Sequence, residues 1–100
     1  MKAQITNDPR VAAGTSLKGY VKTDISTLTT KLGLPRTGHS GDGKVKCEWI
    51  IEFDNKEIAT IYDWKTKEIP TAEYEWHIGG KTSSVVEKVG QFLQLNAMIC

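Results

Sequence analysis

Val45–Trp64 reads VKCEWIIEFDNKEIATIYDW. Val45, Cys47, Trp49, Ile51 and Phe53 alternate with Lys46, Glu48, Ile50 and Glu52. A period of two places the first set on one face of a strand, and that face is apolar throughout. Asp54-Asn55-Lys56 follows as a polar turn, because Asp and Asn bond to their own backbone and tolerate left-handed conformations. The chain resumes with Ile58, Ala59, Thr60, Ile61, Tyr62 and Trp64, a β-branched and aromatic run. The stretch is predicted to be a β-hairpin. Trp49 points inward with Val45 and Ile51, and Tyr62 and Trp64 share a face with Ile58 and Thr60. Which face of that second strand is buried depends on register.

Upstream, residues 1–14 are polar, irregular and interrupted by Asp8-Pro9, which reads as a flexible or loosely docked arm. Ser16–Lys22 forms a short strand with Leu17, Gly19 and Val21 on one side. Lys18, Tyr20 and Lys22 take the other side, and the lysines suit an edge strand or a solvated face. Thr23 or Asp24 caps a short helix in which Ile25, Leu28 and Leu32 recur at helical spacing, and Gly33 followed by Pro35 stops it. Arg36–Lys44 carries three glycines and reads as a mobile loop, with His39 as a solvated residue within it.

Downstream, Lys65–Thr71 is a connector. Ala72, Tyr74, Trp76 and Ile78 alternate with Glu73, Glu75 and His77 in another strand, which Gly79-Gly80 ends. A last helix begins near Thr82–Ser84, with Ser84 and Glu87 at capping-box spacing. Val85, Val86, Val89, Phe92 and Leu93 line one side of it. The expected fold class is α+β: a single domain over residues 15–95 in the order β-α-β-β-β-α. Its small, mainly antiparallel sheet carries both helices on one face. Residues 1–14 are the arm and 96–100 a frayed end.

The 100 residues suit one domain with a modest core. Thirteen basic and twelve acidic residues are interleaved, and a net charge of +1 argues against bulk DNA binding by counterion release. No apolar stretch approaches a membrane span, and MKAQITNDPR lacks the apolar region of a signal peptide. Cys47 reads as a small core residue and Cys100 as a terminal thiol, so the expected compartment is a reduced cytoplasm rather than one that forms disulfides.

Gly79–Ser84, GGKTSS, follows a strand and opens a helix. Free backbone N–H groups, a helix dipole, a lysine and hydroxyls converge there, as a phosphate requires. A Walker A loop would need glycine where Glu75 stands, so the segment is not a P-loop. Trp49, Tyr62, Trp64, Tyr74 and Trp76 cluster in the central strands, and any left exposed could stack on a base or form an oligomer contact. The carboxylates have no paired catalytic geometry, and a lone His77 with no matched cysteine is a poor metal signal. No metal, cofactor or catalytic residue is assigned.

EWIIEF at Glu48–Phe53, ATIYDW at Ala59–Trp64 and EWHIGG at Glu75–Gly80 together resemble a family of small phage-encoded proteins. LGLP at Leu32–Pro35 and SGDGK at Ser40–Lys44 fit the same pattern, and the likeness spans roughly Leu17 to Leu93. Small phage proteins of this size often counter bacterial defence, and one route is to sequester a nucleotide second messenger. The resemblance thus implies a sponge in the host bacterial cytoplasm, for a cyclic ADP-ribose isomer or a cyclic oligonucleotide, without turnover. The expected ligand-binding residues are Trp64, Trp76, His77, Gly79, Gly80, Lys81, Thr82 and Ser83. A phosphate would sit at Gly79–Ser83 and a base on Trp64 or Trp76. Two other readings compete: an inhibitor gripping a host defence protein through an aromatic patch, and a small phosphodiesterase or nucleosidase. The latter would use His77 or His39 with Asp63 or Glu75. A homo-oligomer, most simply a dimer, is expected from the number of tryptophans and the free sheet edges.

Overall fold

A computed structural model describes residues 2–38 and 41–100, so His39 and its expected loop role lie outside the described residues. In chain order the elements are β1 (Ala3–Thr6), a 3₁₀ turn (Pro9–Ala12), β2 (Ser16–Thr23), α1 (Ile25–Leu32), β3 (Arg36–Thr37), β4 (Cys47–Phe53), β5 (Ile58–Tyr62), β6 (Tyr74–Gly80), α2 (Ser84–Leu93) and β7 (Ala97–Ile99). Among the described residues the strands form one seven-stranded sheet in the order β1-β4-β5-β6-β2-β7, with β3 also on β4, and every pairing is antiparallel. The fold is a small α+β sheet with two helices.

The β4–β5 hairpin has Trp49 opposite Ile61 and Ile51 opposite Ala59. Its turn closes through Lys56, whose φ of 74° is the left-handed conformation that a tight reversal requires. The register carries across the sheet: Ile61 faces Ile78, and Trp76 faces Val21. Directly paired residues share a face. Cys47, Trp49, Ile51, Phe53, Ala59, Ile61, Trp76, Ile78 and Val21 therefore make one apolar surface, and Leu28, Leu32, Val85, Val86, Val89 and Leu93 of the two helices pack against it. Both helices lie on that one side.

The two core tryptophans also locate α1. Trp76 Nε1 donates to Thr23 O at 3.0 Å, just before the helix, and Trp49 Nε1 donates to Gly33 O at 2.8 Å, just after it. Their rings meet edge-on at 5.6 Å and 75°, a pairing that contributes roughly 0.5–1.5 kcal/mol beyond burial. A threonine-rich segment of low intrinsic propensity is thus held at both ends by the sheet. Asp24 caps it, accepting from Thr27 N at 2.8 Å.

Four expectations need correction. The first fourteen residues are not a loose arm: β1 pairs Ile5 with Ile51 and Ala3 with Phe53, adding apolar side chains beside β4. The C-terminal residues do not fray but form β7 on β2, extended by Cys100 N donating to Lys18 O. Arg36 and Thr37, expected in a loop, pair with Glu48 and Cys47. β2 is an interior strand whose lysines belong to a solvated face rather than an edge, and a bulge between Leu17 and Gly19 turns Leu17, expected on the side of Gly19 and Val21, to the opposite face.

Candidate functional site

Because both helices occupy one face, the other face of the sheet is left to the chain's polar and aromatic residues. The 3₁₀ turn lies against β5 on part of it, where Ile50 and Thr60 are buried. Beyond that cover, one row crosses the sheet in register: Arg36, Glu48, Tyr62, His77, Tyr20, Met98. Tyr20 meets the His77 ring edge-on at 5.1 Å, and Tyr62 meets it from the other side at 5.4 Å. Trp64 continues the stripe, 6.4 Å from both Tyr62 and His77.

Trp64 is 41% exposed. Lys44 and Lys65 place their ammonium groups 5.9 and 5.7 Å from its ring. The corner that holds it is fixed from below by Asp63, which is fully buried and accepts from Lys46 N at 2.7 Å, Cys47 N at 3.1 Å and the Thr66 hydroxyl. Lys65 N donates to Lys44 O at 2.7 Å, and Trp64 N donates to the Tyr74 hydroxyl at 3.1 Å. The loops before β4 and after β5 are therefore one clamped unit, and it presents a tryptophan with two cations over its ring.

His77 Nδ1 is buried with no hydrogen-bond partner, alone in this among the described residues. Burial lowers the pKa of His77, against the opposing pull of Glu75 and Asp63, and so favours the neutral form of an imidazole set between two tyrosines. Burial raises the Tyr62 phenol, and the Glu48 carboxylate adds to that. Glu48 is held by Arg36 at 2.9 Å. A cleft of about 210 Å³ opens beside the stripe, lined by Thr15, Ser16, Glu48, Thr60, Tyr62, Trp64, Gly79 and Val45, which precedes β4 and so does not share the expected inward face with Trp49. That volume is below the roughly 300–1,000 Å³ that encloses a whole drug-sized ligand, and it suits a single ring system.

The expected site residues divide three ways. Trp64, His77 and Gly79 are together on the open face. A Cβ at Gly79 would stand 2.4 Å from Thr60 Oγ1, so only glycine lets the strands sit this close there. Trp76 and Gly80 belong to the opposite face. Trp76 is fully buried with its N–H bonded to Thr23, which removes it as a stacking platform, and a Cβ at Gly80 would meet Val85 Cγ2 at 2.4 Å. Lys81, Thr82 and Ser83 form the exposed rim of α2.

That rim already has its anion. The Glu57 carboxylate accepts from Ser84 Oγ at 2.9 Å and Thr82 Oγ1 at 3.4 Å, and it pairs with Lys88. The expected capping box does not form. Ser83 is the N-cap without a side-chain bond, and the Ser84 hydroxyl is turned to Glu57. Of the residues expected to cradle a phosphate, Gly79–Ser83, Thr82 thus turns its hydroxyl to the chain's own carboxylate.

Sequence reasoning passed over Tyr20, Lys44 and Lys65 as site residues. Parity alone had put Tyr20 on the face away from Val21, which is the signal that was available. The lysines become neighbours of Trp64 only through the loop clamp. Among the described residues no group of three or more His, Cys, Asp or Glu could hold a metal ion, and no helix is long and apolar enough to cross a membrane. Comparison with protein families, curated proteins and solved structures returned no match.

Proposed function

We propose that this chain captures a nucleotide-type ligand on the open face of its sheet and holds it without turnover. The observation that carries the reading is the continuous stripe Trp64–Tyr62–His77–Tyr20, with Lys44 and Lys65 over the tryptophan. Flat rings give sequence-tolerant stacking of roughly 1–3 kcal/mol per base, and the two ammonium groups favour an attached phosphate. The location differs from the helix rim, where Glu57 would repel an incoming anion.

Capture is favoured over acid–base chemistry by the partners of Asp63. That carboxylate, one of the two expected to assist His77, already accepts from two backbone N–H groups and the Thr66 hydroxyl. The likeness of the EWIIEF, ATIYDW and EWHIGG segments to small phage proteins supplies the biological setting. The ligand would be a nucleotide immune signal, and the chain a sponge for it in the host cytoplasm. The same open face could instead grip a host defence protein, since exposed aromatic rings serve either role.

The test is incubation with a panel of cyclic ADP-ribose isomers and cyclic oligonucleotides, removal of free ligand, heating and chromatography of what is released. A sponge returns a member of the panel intact. Release of a hydrolysed product would establish an enzyme, and capture of none of the panel would leave the host-protein reading in its place.

A further inference from the structure

We infer that the ligand carries two bases joined through phosphate, one stacked at Trp64 and the other at Tyr20. This rests on the reading above and narrows its ligand class. Tyr62, His77 and Tyr20 are consecutive partners across β5, β6 and β2. Neighbouring strands lie about 4.8 Å apart, so Tyr20 and Tyr62 are separated by roughly 10 Å. Stacked rings keep their centroids within about 4.5–7 Å of one another, so one base cannot serve both ends of the stripe. The cleft of about 210 Å³ by Trp64 and Tyr62 takes one ring. Tyr20, on the far side of His77, is left for a second.

The charges fit a bridge between the two. Lys44 and Lys65 stand at the Trp64 end. Lys22, two residues beyond Tyr20 on the same face of β2, stands at the other end, in an exposed pair with Glu73 at 3.5 Å that a phosphate can displace. Two carboxylates also belong to this face: Glu48, held by Arg36 at 2.9 Å, and Glu75, directly opposite Lys22. His77 lies midway, under the path of the linkage. The row ends at Arg36 on one side and at Met98 of the last strand on the other, which gives two ring positions rather than a track for a long strand. The net charge of +1 agrees with a short ligand.

Two sources share this chemistry, a free cyclic or linear dinucleotide and a two-nucleotide stretch of single-stranded RNA. Isothermal titration separates them with adenosine monophosphate, linear pApA, cyclic di-adenosine monophosphate and an adenine RNA hexamer, repeated with the guanine series. One of the dinucleotides is expected to bind at least tenfold more tightly than its mononucleotide, as a further stacked base provides. Tyr20→Ala should reduce dinucleotide affinity at least tenfold and weaken the mononucleotide by a much smaller factor, whereas Tyr20→Phe keeps both. A hexamer tenfold tighter than either dinucleotide would assign the two-base site to a strand. Equal binding of mono- and dinucleotide would overturn the inference and leave nucleotide capture standing. Loss of mononucleotide binding in Tyr20→Ala would overturn it too, since Tyr20 would then only support the fold. Binding of no probe in either series, together with an empty capture panel, removes the capture reading and the inference with it.

Discussion

At the scale of single residues, Glu57 decides what the start of α2 can accept. Its pKa is lowered to about 2, first by the hydrogen bond from Lys88, then by those from Asn55 and Ser84. A carboxylate whose folded pKa lies below its ordinary 4.5 adds stability above pH 4.5, and that stability is lost as pH falls toward 2. The side chain remains 29% exposed, so water screens the pair and Glu57→Gln should cost only about 0.5 kcal/mol at pH 7. Thermal melts of the two proteins should differ at pH 7 and converge near pH 2; a gap that widens in acid would contradict the assignment. Asp63 is the opposite case, fully buried with two backbone donors and a hydroxyl on its carboxylate. Asp63→Ala strands those donors and should cost roughly 2–4 kcal/mol. Urea unfolding should show a lower midpoint with an unchanged slope, and ligand capture should fall as the Trp64 corner loosens. A midpoint like that of the wild type would mean that the corner holds itself together without Asp63.

At the scale of elements, β7 is seated by a glycine. A Cβ at Gly19 would stand 2.4 Å from Met98 O and 2.8 and 2.9 Å from the Val86 methyls, so it would collide with β7 and α2 together. Gly19→Ala is expected to cost roughly 1–3 kcal/mol. Amide exchange should accelerate first at residues 97–100, and unchanged exchange there would show that the strand is seated by something else. This strand was not legible in the sequence, nor were β1 and β3. At two to four residues they are too short to alternate, and their pairing is decided by an open edge on β4 or β2 that no local pattern announces. The hairpin was legible because Cys47, Trp49, Ile51 and Phe53 of β4 recur at every second position before an Asp-Asn turn, with Ile50 the one apolar exception on the other face. Trp76 shows the middle case. Its parity with Ile78 could be read, but its burial follows from the chain of partners Trp49, Ile61 and Ile78 across three strands. The role of Glu57 could not be read at all, because only the stacking of α2 beside the hairpin turn brings it to Ser84 and Lys88. For the candidate site, the neighbours Gly79 and Gly80 belong to opposite faces, which period two foretells. The meeting of Lys44 and Lys65 at Trp64 depends on a loop contact between residues twenty-one positions apart.

At the scale of the whole molecule, the expected self-association rests on the sheet edge and not on the tryptophans. A surplus of tryptophans was one ground for expecting it, and two of the three are fully buried. The sheet edge is the ground that remains. β7 leaves one side of its backbone unpaired within the sheet order and carries Met98 at 71% and Ile99 at 62% exposure. An apolar edge of this kind invites a second strand, and two copies meeting about a two-fold axis would pair β7 with β7 antiparallel. An axis perpendicular to the sheet keeps both open faces on the same side. Met98 ends the row that contains Tyr20 and His77, so the two aromatic stripes would become neighbours across the junction. We therefore expect static light scattering at micromolar concentration to give a mass near twice 11.1 kDa. Met98→Lys places a charge on the edge and should return the mass to that of one chain. Because Met98 lies outside the pair of rings assigned to the ligand, the variant should still capture it, with any avidity between the two stripes lost. A wild-type mass of one chain would refute edge pairing, and a dimer indifferent to Met98→Lys would locate the interface elsewhere.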